Sequence, residues 1–302
     1  MASIADSARE RSRARLDEGD FTESLQAARE GLSAVPDDVE LLVLAGRAGV
    51  ELDSDDAVEH LRRATELAAD DATAWHHLGE ALAAEGLTKE ADAAFRRAVE
   101  LDPDDQIALT HLGHTSLAAG RQDEAVDYLS RAADNIQGAS TAAISLVEMY
   151  RSFGRYEDAA AQAKRLAAAV PDDALAWLDV AELTFEVGQF DEARAAFERL
   201  REVDDVPGHE AYPIHGMLRV AVRGDEWERA QQLADQAAAI DPQGLGTDVG
   251  AFLRARTGGD GEDEPERVPT AEELDSALAA SLAEYRRTLA DDRRLSTGDS
   301  IG

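Results

Sequence analysis

Apolar positions along this chain recur at helical spacing and are interrupted by glycine or proline at regular intervals. In the segment Trp75-His76-His77-Leu78-Gly79-Glu80-Ala81-Leu82 the apolar residues fall on one helical face, and Gly79 leaves room for a neighbouring helix to approach. Gly86 follows at a turn, where a left-handed backbone would strain a residue carrying a side chain. Phe95 and Ala98 then provide the buried stripe of a second helix. Leu101-Asp102-Pro103 ends it, since a proline disfavours helical backbone in the residue before it. The element predicted is a helix hairpin too small to bury its own apolar stripe.

The same pattern returns every 34 residues, which predicts a stacked array rather than one globular core. The positions Trp75, Leu78, Gly79, Leu82, Gly86, Ala91, Phe95, Ala98 and Pro103 resemble a tetratricopeptide repeat (TPR). Shifting by the period places Leu109, Leu112, Gly113, Gly120, Ala125 and Leu129 on equivalent positions, then Leu146, Tyr150, Gly154, Ala159 and Pro171, then Trp177, Gly188, Ala193 and Phe197. Seven repeats are expected, at about 5–38, 39–71, 72–105, 106–139, 140–173, 174–207 and 211–244. The first is degenerate, with Arg11, Ser12 and Arg15 on packing positions. The second lacks one residue near Asp53-Ser54, and the last follows an insertion, with Gly224 one position early for the turn.

The resemblance implies an all-α fold, a right-handed superhelical solenoid of stacked helix-turn-helix hairpins. Stability would come from contacts between successive hairpins, and the first helices would build a concave face. Residues 1–256 are expected to form the solenoid, closed by a short capping helix around Leu245, Val249, Phe252 and Leu253. Residues 257–269 read as an acidic, glycine-rich linker. Within 270–302, Thr270 and Glu273 form a capping box. Leu274, Ala277, Leu278, Ser281, Leu282, Tyr285 and Leu289 make one apolar stripe, so an amphipathic helix with a polar tail is expected there. That helix either caps the array or occupies the chain's own groove, or a neighbour's, as a reversible plug.

The family's ligand-facing positions are the second, fifth, ninth, twelfth and thirteenth of each repeat. Carried over, they nominate a peptide- or protein-binding groove containing His76, Glu80, Thr110, His114, Ile144, Glu148, Arg151, Leu178, Glu182 and Phe185. Leu175, Leu178, Phe185, Ile214 and Leu218 would make its later half apolar. The family's carboxylate clamp for chaperone tails uses groove lysines and asparagines. Here the sole asparagine is Asn135, and Lys89 and Lys164 fall on second helices, so that ligand is not expected.

Composition changes the picture in one respect. The net charge is −33, from 63 acidic and 30 basic residues, and Lys89 and Lys164 are the only lysines. Such a balance resembles proteins of salt-accumulating, haloarchaeal-type halophiles. The other reading, a basic partner drawn in by the acidic field, weakens in molar salt, where the Debye length is about 3 Å. Nucleic acid is not expected as a partner, because no basic face is available to neutralise phosphates. Arg9, Arg11, Arg13 and Arg15 form the one basic cluster, read as a solvated helix face.

The absence of cysteine excludes disulfides and thiolate chemistry. No apolar run is long enough to span a membrane and the start lacks a secretory signal, so a cytoplasmic location is the simplest expectation. No phosphate loop, nucleophile elbow or paired-carboxylate cleft is present. No cofactor, metal or catalytic residue is therefore assigned. The expected function is a non-catalytic scaffold or adaptor. The alternative is a ligand- or peptide-regulated sensor gated by the C-terminal helix. A more remote alternative is a metal-dependent enzyme built on the His76/His114 cluster, to which His77, Glu80 and His111 would belong.

Overall fold

The computed structural model describes residues 4–134, 141–242, 244–257 and 270–297. Among the described residues there are sixteen helices and no strand, so the fold is all-α. None of these helices is long and apolar enough to cross a membrane. Most of the 257–269 linker and the end of the polar tail, 298–302, lie outside the described residues. The chain divides into two compact units, residues 1–135 and 136–302.

The first unit holds α1 (Ile4–Asp17), α2 (Phe21–Ala34), α3 (Val39–Glu51), α4 (Ala57–Leu67), α5 (Ala72–Ala84), α6 (Thr88–Leu101), α7 (Gln106–Ala118) and α8 (Gln122–Asp134). The second holds α9 (Thr141–Ser152), α10 (Tyr156–Ala169), α11 (Ala174–Glu186), α12 (Phe190–Val203), α13 (Ala211–Arg223), α14 (Trp227–Ile240), α15 (Leu245–Thr257) and α16 (Ala271–Thr297). In both, consecutive helices pair as hairpins, and each hairpin packs on the next.

Local chemistry explains the repeat. Gly79 faces Phe95 so closely that a Cβ there would lie 2.6 Å from the ring, and Gly113 faces Leu129 in the same way. Ser12, at the equivalent position of the first repeat, instead exchanges hydrogen bonds with Ser24, each hydroxyl donating to the other's backbone carbonyl. Asp38, Asp71, Asp105 and Asp173 cap the first helices that follow them.

The hairpin turn places one left-handed residue at the fifteenth position of every repeat. Gly86 has φ 73°, and Gly19, Gly120, Gly154 and Gly188 match it. In the second and seventh repeats Asp53 (φ 50°) and Asp225 (φ 58°) take that role. The seventh turn is therefore in register. Gly224 has φ −86° and is not the turn residue that its identity suggests.

Successive second helices carry a ladder of ion pairs: Arg29–Asp56 at 2.7 Å, Arg96–Glu124 at 3.0 Å, and Lys164–Glu192. Glu198–Arg229, at 3.5 Å, repeats the geometry with the charges exchanged. A second periodic contact ties loops to helices. The Ala69 carbonyl accepts from Trp75 Nε1 (3.0 Å) and Arg97, and the Pro171 carbonyl from Trp177 Nε1 (2.8 Å) and Arg199. The Arg9, Arg11, Arg13 and Arg15 series pairs with Asp6 and Asp38, Glu30, Glu40, and Glu18 respectively.

At the end of the second unit, α15 buries Val249, Phe252 and Leu253, and it packs on α14. Thr270 and Glu273 form the reciprocal capping box at the start of α16 (3.1 and 2.8 Å). Leu274, Leu278, Leu282, Tyr285 and Leu289 of α16 are all buried, and the helix packs on α13, α11 and α15.

Candidate functional site

Two places bring chemistry-bearing side chains together, one in each compact unit. In the first, His76 Nδ1 donates to Asp105 Oδ2 at 2.7 Å, and its Nε2 lies 3.4 Å from Glu80. His77 Nδ1 reaches the same Glu80 oxygen at 2.7 Å. Burial opposes charge on His76, but its bonds to Asp105 and Glu80 outweigh that and raise its pKa to about 9. Burial would raise Glu80, yet the two imidazoles hold it at about 2. His77 is lowered, with burial the larger cause.

His76, His77 and Glu80 each offer a ligand atom, all within 4.8 Å of one another. A cation there would have to displace the proton that His76 holds at neutral pH and compete with bonds already made. His114 does not join this set. It is exposed, while its neighbour His111 lies over Phe95 (centroids 4.4 Å apart) and 3.6 Å from Asp92. The expected His76/His114 cluster is thus replaced by His76, His77, Glu80 and Asp105. The reason is helical geometry: one turn of α5 gathers the first three, and Asp105 arrives as the cap of α7.

In the second unit the face made by α11 and α13 is covered by α16. Asp275 accepts from Arg219 Nε at 2.8 Å, Ser281 Oγ shares a 2.9 Å hydrogen bond with His215 Nδ1, and Tyr285 stacks on Tyr212 (centroids 4.7 Å, planes 7° apart). Contacts that climb α16 descend α13, so the two helices run antiparallel. The Tyr285 hydroxyl donates to Asp204, which also binds His209 Nδ1 at 2.9 Å. Burial and the Asp204 carboxylate both push the Tyr285 pKa up. The irregular stretch between α12 and α13, seen in the sequence as an insertion, supplies both Asp204 and His209 to this seat.

One residue further along α16, Arg286 donates to Asp179 at 2.7 Å and to Glu182 at 2.6 Å. Arg151 meets the same two carboxylates at 3.1 and 3.3 Å. Burial alone would lower the Arg286 pKa, and the paired carboxylates raise it instead. Burial keeps His215 low and therefore neutral at pH 7.

Of the nominated groove residues, His114 and Glu148 are exposed, and His76, Glu80, Thr110, Ile144, Arg151 and Glu182 are half-buried. Thr110 turns its hydroxyl back to the Gln106 carbonyl (2.7 Å). Leu178 and Phe185 require correction: neither is an open apolar anchor. Leu178 is fully buried, and Phe185 lies under the Arg219 guanidinium, 4.1 Å from its ring centroid. Ile214 and Leu218 are core residues as well. On α13, Tyr212, His215 and Arg219 meet α16. These are the second, fifth and ninth positions counted from Ala211, so the signal was present in the repeat register.

A cavity of about 900 Å³ near α12 and α14 includes Glu198, Glu226, Trp227 and Arg229 in its wall. Two of its carboxylates are engaged in ion pairs, Glu198 with Arg229 and Glu226 with Arg194, and no residue of α16 lines it.

Two family models described as tetratricopeptide repeat match the chain, over residues 72–115 and 150–212. Its fold is similar to the C-terminal part of a TPR repeat-containing protein from Cytophaga hutchinsonii. That likeness has a TM-score of 0.60 at 15% identity and covers 80% of this chain and 98% of that one. A tetratricopeptide repeat protein from Parabacteroides merdae is similar at TM-score 0.50 and 16% identity, covering 83% of this chain and 99% of that one. No match is found among curated proteins.

Proposed function

We propose that this chain is a non-catalytic scaffold or adaptor that binds a protein or peptide segment on the face built by its first helices. In the second unit, α16 competes for that face. One observation carries the reading: the positions through which the repeat family meets ligands, here Glu182, Tyr212, His215 and Arg219, are engaged by an amphipathic helix of the same chain. A surface that accepts such a helix with ionic, aromatic and apolar contacts is a surface suited to a helical or extended segment. The acidic composition fits operation in concentrated salt, where excess carboxylates keep the molecule soluble.

The test is affinity capture from native extract at molar salt, comparing the full chain with its Tyr285→Ala variant, which loosens α16. A stoichiometric protein enriched on the variant is the expected result. Recovery of both chains alone overturns the scaffold reading.

A further inference from the structure

Seating α16 on α11 and α13 uses more polar chemistry than a permanent cap requires. Leu274, Leu278, Leu282, Tyr285 and Leu289 are buried, and apolar burial favours the seated helix without direction, so it specifies no partner. Set among them are three directional contacts and a charged cluster. Arg219 takes a carboxylate, His215 takes a hydroxyl, Tyr212 and Asp204 take a phenol, and Asp179 with Glu182 takes a guanidinium. Burying such groups costs desolvation that their pairing offsets only in good geometry, so they add little stability. What they do add is register and selectivity, because a helix lacking one of the four groups buries its counterpart without that partner.

We infer that the α11–α13 face is a recognition site for an amphipathic helix of another protein, and that α16 is its built-in competitor. That helix carries an aromatic residue followed directly by arginine, with a carboxylate ten positions before the aromatic, as Asp275, Tyr285 and Arg286 stand here. The inference rests on the scaffold reading and adds the chemistry of its ligand. Charge complementarity supports it. Among the described residues, Arg151 is the one cation besides Arg286 that pairs with Asp179 and Glu182, so without α16 a net negative pocket is left for one further cation. The arginine is favoured over lysine there, since its planar fork reaches both carboxylates at once.

The experiment uses the full chain carrying Arg286→Glu, which sets a carboxylate against Asp179 and Glu182 and releases α16. The probe is a synthetic peptide of residues 270–291 with the wild-type sequence. The released chain should bind it at least about 100-fold more tightly than the wild-type chain, whose own α16 acts at an effective concentration near millimolar. A peptide with Arg286→Glu should not bind the released chain. Equal binding of both peptides, or of neither, overturns the inference.

If Arg286→Glu lowers the helical circular dichroism, Tyr285→Ala takes its place as the releasing change. A swapped dimer in place of a one-to-one peptide complex would assign the face to a second copy and overturn the inference. Peptide selectivity without a captured partner would leave the site chemistry standing while the scaffold reading fails. A captured partner without peptide selectivity would do the reverse.

Discussion

His76 and Asp105 are joined by a 2.7 Å hydrogen bond from Nδ1 to Oδ2, while the other Asp105 oxygen accepts the Ala108 amide at 3.0 Å. One carboxylate thus caps α7 and anchors a side chain of α5, fastening the third repeat to the fourth.

The first prediction is a pH dependence of that fastening. His76 is raised from its ordinary 6.5 to about 9, so its contribution is complete below pH 6.5 and fades as pH rises through 9. After allowance for partial exposure the loss is about 2 kcal/mol. Urea unfolding of the wild type should weaken across this window, and His76→Gln should flatten the slope. An NMR titration of Asp105→Asn should return His76 toward 6.5. Glu80 acts on the opposite limb: held at about 2, it stabilises the fold above pH 4.5 and ceases to do so as pH falls toward 2.

Gly79→Ala should destabilise despite the higher helix propensity of alanine. The new Cβ would sit 2.6 Å from the Phe95 ring, which is itself buried and cannot withdraw. Overpacking of this kind costs about 1–3 kcal/mol, against a propensity gain of about 1. A net loss in denaturant midpoint is the expected reading, and Gly79→Ala with Phe95→Leu should recover part of it.

Asp225→Gly should stabilise, and so should Asp53→Gly. Both aspartates hold left-handed backbone that the other five repeats assign to glycine. Relief of a cost of about 1–2 kcal/mol, less the greater unfolded-state freedom of glycine, leaves a gain of about 0.5–1 kcal/mol. Gly224→Ala, at φ −86°, should bring no comparable strain, which separates the turn residue from its glycine neighbour.

Salt should raise the thermal midpoint by several degrees between dilute buffer and molar KCl. The ladder of exposed ion pairs weakens as counterions are added, but each is worth only about 0–1 kcal/mol. Mutual repulsion within a net charge of −33 is relieved at the same time and is the larger effect. A midpoint insensitive to salt, measured by scanning calorimetry, would contradict the high-salt reading of the composition.

The hairpins, their glycine turns and the Gly79–Phe95 approach were legible because they depend on residues close in sequence and recur with the period. The aspartate turns were less so. Asp225 gives no glycine signal, and Gly224 beside it drew the turn one residue early. Thr110, His114, Ile144 and Glu148 are half-buried or exposed, whereas Leu178 and Phe185 are closed off. In the last repeat, hydrophobicity pointed to Ile214 and Leu218, which serve the core, and away from Tyr212, His215 and Arg219.

The sequence by itself determined the helical hairpin, its period and its glycine turn positions, because each follows from contacts and backbone preferences within a few tens of residues. It also determined that α16 would be amphipathic, through the capping box at Thr270 and the stripe from Leu274 to Leu289. Only the tertiary structure decided what that stripe covers. The Tyr285–Asp204 and Arg286–Asp179 contacts join residues 81 and 107 positions apart. Such pairs follow no repeat, and their selection depends on whether shape and charge match on surfaces that exist only once both partners have folded.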